Sequence, residues 1–246
     1  MPLRGSPTIR HTDQQFASEL RELRDRLLAM GARCEGLILS AVRAVEDGDP
    51  ALAERVGKAD RAVNAEEGLI DDLALRILAL RHPLGRDLRF LMTALKVVVD
   101  LEQIGDEAVN IAERASIPVL HSELRAAHAQ LTEMGRRVAA MLHEALDAFV
   151  DEDAREAEAV LRRDDAIDAQ YQDILQRTMA FMRGHPEHAR SGMATASCAK
   201  YLERIADHAT NIAEMVIYMV RGVDVRHEEA RESERPAPFL PAAPRL

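Results

Sequence analysis

The sequence predicts an all-α fold built as two tandem antiparallel three-helix bundles related by a pseudo-twofold axis. Three observations carry this expectation. Ala, Leu, Glu and Arg, all strong helix formers, are abundant, while aromatic residues make up only 3% and Trp is absent. Apolar residues recur at spacings of three and four, as in Leu73, Ile77 and Leu80, or Val97, Leu101, Ile104, Ala108 and Ile111, and nothing alternates like a strand. The chain also repeats itself. Residues 30–64 align with 134–168 at an offset of 104, and twelve of these 35 pairs are identical, among them Gly31/Gly135, Asp49/Asp153 and Asp60/Asp164. The offset falls to 103 at His82-Pro83 and His185-Pro186. It is 101 where LEQIGDEAVNIAE (101–113) meets LERIADHATNIAE (202–214), nine of whose thirteen positions are identical.

Turn residues divide each copy into three helices. Residues 1–11 form a polar lead-in expected to be flexible, and a first helix is expected from about Asp13 to the EDGDP turn at 46–50. A second runs from Pro50, a favourable first-turn residue, to about Arg81, where His82-Pro83 ends it because proline disfavours helix in the residue before it. A third spans about Leu84 to Ala115 and stops before Ile117-Pro118. The second copy repeats the order at about 119–150, 153–183 and 186–222, closing at Gly222. The two repeats are therefore 12–116 and 117–222, and the Pro-rich tail 223–246 is expected to be flexible. Helices of about 30 residues reach about 45 Å, and short turns force neighbours to lie antiparallel.

A formal net charge of −10 argues against a nucleic-acid partner and against electrostatic adhesion to anionic lipid. Cys34 and Cys198 form neither a metal pattern nor a disulfide framework, and as buried thiols they suit a reducing cytoplasm. No N-terminal apolar run reads as a signal peptide. The apolar stretches 95–101 and 215–220 fall far short of the ~20 residues that span a bilayer. A soluble intracellular protein is expected.

The duplicated motif carries the chemistry. At 100° per residue, Glu102, Asp106, Asn110 and Glu113 lie within an arc of about 80°, opposite Leu101, Ile104, Ala108 and Ile111. Glu203, Asp207, Asn211 and Glu214 repeat the pattern. A solvated face of an amphipathic helix is the simpler reading. Three facts weigh against it: acids four apart repel, Asp and Asn are poor helix formers, and the same carboxylates persist in two diverged copies. A Glu-x-x-x-Asp pair on one face suits hard or borderline cations, and further ligands are offered by Asp60 with Asn64 and by Asp164 with Asp168 on the second helix of each copy. His208 either supplies a nitrogen ligand or caps the polar stripe. Glu-x-x-His, His-Glu-x-x-His, phosphate-cradling glycine loops and nucleophile elbows are all absent, so no catalytic residue is assigned.

The stretches FASELRELRDRLLAMG (16–31), RDLRFLMTALKVVVDLEQIGDEAVNIAE (86–113) and YLERIADHATNIAEMVIYMVRG (201–222) resemble the PhoU family of phosphate transport system regulatory proteins. The likeness runs from about residue 11 to 222, in order and with the duplication. It implies two three-helix bundles, a cytoplasmic location, a homodimer, and a metal-holding acidic motif in each repeat. By position that assigns Glu102 and Asp106, then Glu203 and Asp207, with Asp60, Asp164 and Asp168 as further ligands of a divalent or trivalent ion (Fe, Zn, Mn or Mg). It also implies a non-enzymatic negative regulator of the phosphate-starvation response. Such a regulator couples the ATPase of the phosphate ABC transporter to a sensor histidine kinase and meets the membrane only through protein partners. Two positions depart from the family pattern: Gln103 replaces the Arg kept at Arg204, and Asn64 replaces the acid kept at Asp168. Metal storage or buffering, or a metal-dependent enzyme, are the alternatives.

Overall fold

Each helix boundary has a local cause. The computed structural model describes residues 7–223, with side chains described from Gln14 onward. Helix α1 (Pro7–Asp47) begins earlier than the expected Asp13, because proline at a first helical position lacks only an N–H the helix does not use. Helix thus replaces the flexible lead-in expected up to residue 11, while residues 1–6 and the tail 224–246 lie outside the described residues. Helix α2 (Pro50–Arg81) is capped by Asp49, whose carboxylate accepts from the amides of Ala51 at 2.9 Å and Leu52 at 3.0 Å. Helix α3 (Gly85–Ala112) passes into a 3-10 turn, Glu113–Ser116, where the sequence led one to expect a straight run to Ala115.

In the second copy, α4 (Ser122–Asp151) is followed by α5 (Ala154–Gly184), capped by Asp153 as α2 is by Asp49. Capping thus accounts for the identity of this repeated pair. A 3-10 turn at Pro186–His188 precedes α6 (Ala189–Arg221), which ends at Gly222 with φ +71°. Among the described residues there is no strand, and no helix is long and apolar enough to cross a membrane.

Helices α1, α2 and α3 pack on one another, as do α4, α5 and α6. The bundles join through α1 on α4 and α3 on α6, so α2 and α5 each touch only their own bundle. One apolar core runs through both bundles, from Leu23, Leu27 and Met30 of α1 to Val216 and Met219 of α6. Cys34 is buried within it and donates its thiol hydrogen to the Leu101 carbonyl at 3.2 Å; burial pushes both thiols up to about 12.

The α1–α4 crossing is reciprocal. A Cβ on Gly31 would lie 2.1 Å from Leu146 Cδ1, and a Cβ on Gly135 would lie 2.8 Å from Val42 Cγ1. Gly31 and Gly135 are repeat mates, and so are Val42 and Leu146, each pair 104 apart. The same contact is made twice across the pseudo-twofold, and glycine is retained because the helix axes are too close for a methyl group.

At one end of the crossing, Glu152 takes φ +53°, where its repeat mate is Gly48 at +61°. A non-glycine residue pays roughly 1 kcal/mol or more for this left-handed geometry. The Glu152 carboxylate is held by Arg24 of α1 at 3.3 Å and by Arg86 of α3, so the turn between α4 and α5 is tied to the first bundle.

Candidate functional site

Two carboxylate clusters stand where the repeats place them, one between α2 and α3 and the other between α5 and α6. In the first, Asp60 faces α3 so closely that a Cβ on Gly105 would lie 2.5 Å from Asp60 Oδ1. Asp60 is only 6% exposed, and its Oδ1 has no hydrogen-bond partner, while Oδ2 accepts from Asn64 Nδ2 at 3.3 Å. Burial, then the charges of Asp106 and Glu102, push the Asp60 carboxyl above its ordinary value. Glu67, two turns on along α2, is pushed up by burial and then by Glu102, Asp71 and Asp106. The expected trio Asp60, Glu102 and Asp106 is therefore brought together, with Glu67 as a fourth member that reading the sequence missed. Its spacing of seven from Asp60, which returns to the same helical face, was the available signal.

The second cluster repeats the first with Asp164, Asp168, Glu203 and Asp207. Asp164 Oδ1 is again buried without a partner. Burial, followed by Asp168, Asp207, Asp165 and Glu203, pushes the Asp164 carboxyl up to about 6. Asp207 is raised by burial and by Glu203, against an opposing pull from Lys200.

The rest of the polar stripe turns elsewhere. His208 Nδ1 lies 2.8 Å from Asp100 Oδ1, which also accepts from Asn211 Nδ2 at 3.3 Å. Arg204 pairs with Glu107 at 2.8 Å, and Asn110 Nδ2 donates to Glu107 at 3.2 Å. Arg114 donates to the Tyr201 hydroxyl at 3.0 Å, with its guanidinium 5.3 Å from that ring. These groups form a polar seam between α3 and α6 that fixes how the bundles meet. Of the two roles open to His208, the stripe-capping one matches its Asp100 contact.

Among the described residues, no three His, Cys, Asp or Glu side chains already converge as a group able to hold a metal ion. The clusters are open arrangements whose carboxylates a cation would have to draw inward. Their donor chemistry nevertheless fits a hard or borderline cation. Each contains a buried carboxylate oxygen with no partner, the kind of group that is costly to leave unsatisfied.

This arrangement gives a pH signature. A carboxyl whose folded pKa is raised binds protons more tightly in the folded chain, so its contribution to stability is present at low pH and lost as pH rises through the folded value. For Asp164 the loss is complete above about pH 6. His128, buried and with its pKa lowered, works in the opposite direction, so the comparison is made against a variant. In EDTA, wild type should gain more stability than Asp164→Asn between pH 7 and 5, and at pH 7 the variant should be the more stable by about 1–2 kcal/mol. Superimposable pH profiles in urea unfolding would show that Asp164 carries no such strain.

Comparison with known proteins gives the fold its relatives. Residues 27–115 and 131–216 each match the PhoU domain family, one stretch in each three-helix half. The phosphate-specific transport system accessory protein PhoU homolog of Pseudomonas putida is 41% identical over 217 residues, covering 88% of this chain and 85% of that protein. The phosphate-specific transport system accessory protein PhoU of Escherichia coli (strain K12) is 34% identical over 226 residues, covering 92% of this chain and 93% of that protein. The crystal structure of PhoU from Pseudomonas aeruginosa superimposes with a TM-score of 0.78 at 38% identity, covering 85% of this chain and 100% of that one. The crystal structure of the phosphate transport system regulatory protein PhoU from Streptococcus pneumoniae gives 0.77 at 28% identity, covering 85% of this chain and 99% of that one.

Proposed function

The chain belongs to the PhoU family, whose members are accessory proteins and not enzymes, and on that premise we propose that it is a cytoplasmic regulator of a phosphate-specific transport system. In this reading it contacts the transporter ATPase and a sensor histidine kinase, and it holds the phosphate-starvation response off when phosphate is plentiful. It performs no chemistry of its own and acts by binding one signalling state of its partners more tightly than another. The observation that carries the reading is the match over most of the chain, in order and in both repeats, to proteins named for the phosphate-specific transport system. Association as a homodimer belongs to the same proposal.

The carboxylate clusters are proposed as cation sites. Asp60, Glu67, Glu102 and Asp106 would hold an ion in the first repeat, and Asp164, Asp168, Glu203 and Asp207 in the second. The ion would supply the positive charge these carboxylates lack. The protein's own contribution is to keep one oxygen of Asp60 and one of Asp164 buried and free for it.

Deleting the gene should derepress phosphate-starvation genes in phosphate-rich medium, and the wild-type chain should restore repression. Pull-down from native membranes should recover the transporter ATPase or the kinase, to different extents in high and low phosphate. Normal repression in the deletion strain would sink the regulatory reading.

A further inference from the structure

The two carboxylate clusters differ at one pair of positions whose chemistry is opposite. Where the first cluster has Val99 on α3 and Glu67 on α2, the repeat offsets of 101 and 104 put Lys200 on α6 and Tyr171 on α5. Lys200 ion-pairs with Glu203, one of the four acids of the second cluster. Its ammonium also sits 5.4 Å from the Tyr171 ring centroid, within reach of a cation–π attraction. Asp207 lies near enough to interact with the same charge. In the first cluster, none of Asp60, Glu67, Glu102 and Asp106 makes an ion pair among the described residues. The nearest polar help is neutral, from Asn64 to Asp60 and from Gln103 to Glu102 at 2.8 Å.

We infer that Lys200 is a built-in competitor for the cation, making the first cluster the tighter metal site and the second one a site that fills only when the ammonium leaves. The inference rests on the cation-site reading and goes beyond it by ordering the two sites. As a surface pair, Lys200–Glu203 adds little to folding stability, since the lysine side chain is 46% exposed. Its effect on ion binding is of another kind. A metal ion at Glu203 must displace a group already attracted to that carboxylate and must also bear the repulsion of the ammonium at Asp207. The first cluster imposes neither cost, while a buried carboxylate oxygen without a partner is common to both, on Asp60 and on Asp164. Sequence alone points the other way, because Asn64 in place of an acid makes the first site look the poorer one.

The test is a titration of the full-length, EDTA-stripped protein with Mn²⁺, read by calorimetry and by the electron paramagnetic resonance of free Mn²⁺. Wild type should show two classes of site. Lys200→Met should raise the affinity of the weaker class about tenfold and leave the tighter one unchanged, whereas Lys200→Arg, which keeps the charge, should behave as wild type. Val99→Lys, at a half-exposed position, should weaken the tighter class by a similar factor. Asp106→Asn should remove the tighter class and leave the weaker. Equal sites in wild type, or a weaker class unmoved by Lys200→Met, would overturn the ordering while leaving the cation reading intact. Failure of wild type and Lys200→Met alike to bind Mn²⁺ would overturn both.

Discussion

A Phe149→Ala protein should lose about 3–5 kcal/mol of stability and melt roughly 10 °C or more below wild type. Phe149 is fully buried on α4, in the second bundle, and its ring stacks on Phe90 of α3 with centroids 5.4 Å apart and planes 22° from parallel. The Arg24 guanidinium of α1 lies 5.1 Å from the Phe90 centroid and reaches on to Glu152. Truncation therefore removes the ring stack that joins α4 to α3, helices of opposite bundles, and the cavity opens at their junction. Phe149→Leu should recover a large part of the loss, because it refills most of the volume. Calorimetry of the two variants measures this directly, and a loss below about 1 kcal/mol in Phe149→Ala would mean the bundles relax onto the vacated space.

The second large effect is expected at the glycine crossing. Gly31→Val and Gly135→Val should each cost about 1–3 kcal/mol, by driving a branched side chain into Leu146 or Val42. Gly135 should be the more sensitive, since Val42 is stiff about its first torsion and cannot swing aside as Leu146 can. The two losses should not add, because either one already pushes α1 and α4 apart. Gly36→Ala is the control of opposite sign. No atom lies within 4 Å of a Cβ placed there, so the helix gains up to about 1 kcal/mol from alanine. If Gly31→Val and Gly36→Ala shift the urea midpoint in the same direction, close approach of the axes is not what keeps Gly31.

Much of the fold was legible because it is written in local terms. The EDGDP turn, the His-Pro pairs and Gly222 stop helices by backbone chemistry that needs no partner, and the boundaries fall close to where those residues place them. The start of α1 was misjudged because the polar lead-in hides a helix that opens on Pro7. The motif's own helical face was also readable, so Glu102 could be placed beside Asp106, and Glu203 beside Asp207, on one side of a helix. What the sequence did not reveal is which neighbouring helix each side of that face would meet. Glu102 and Asp106 turn toward α2, while Glu107 and Asn110 join the seam with α6, and one helical arc contains members of both. Asp100 and His208 illustrate the same limit. Each lacks a counterpart in the other repeat, Tyr201 and Glu107 standing in their places, yet they pair with each other across the seam. Lys200 went unremarked for a related reason, since a lysine three residues before a glutamate is ordinary until the aligned valine is set beside it.

The reciprocal glycine contacts describe a dimer whose subunits happen to share one chain. The connection from Ile117 to His121 keeps each half at a high effective concentration for the other, so the interface between them need not be strong to stay closed. Expressed as separate polypeptides, the halves would have to associate from solution, and their melting point would then rise with protein concentration more steeply than that of the intact chain. Fusion also allowed the two copies to drift apart at positions such as 99 and 200, something two identical subunits encoded by one gene can never do.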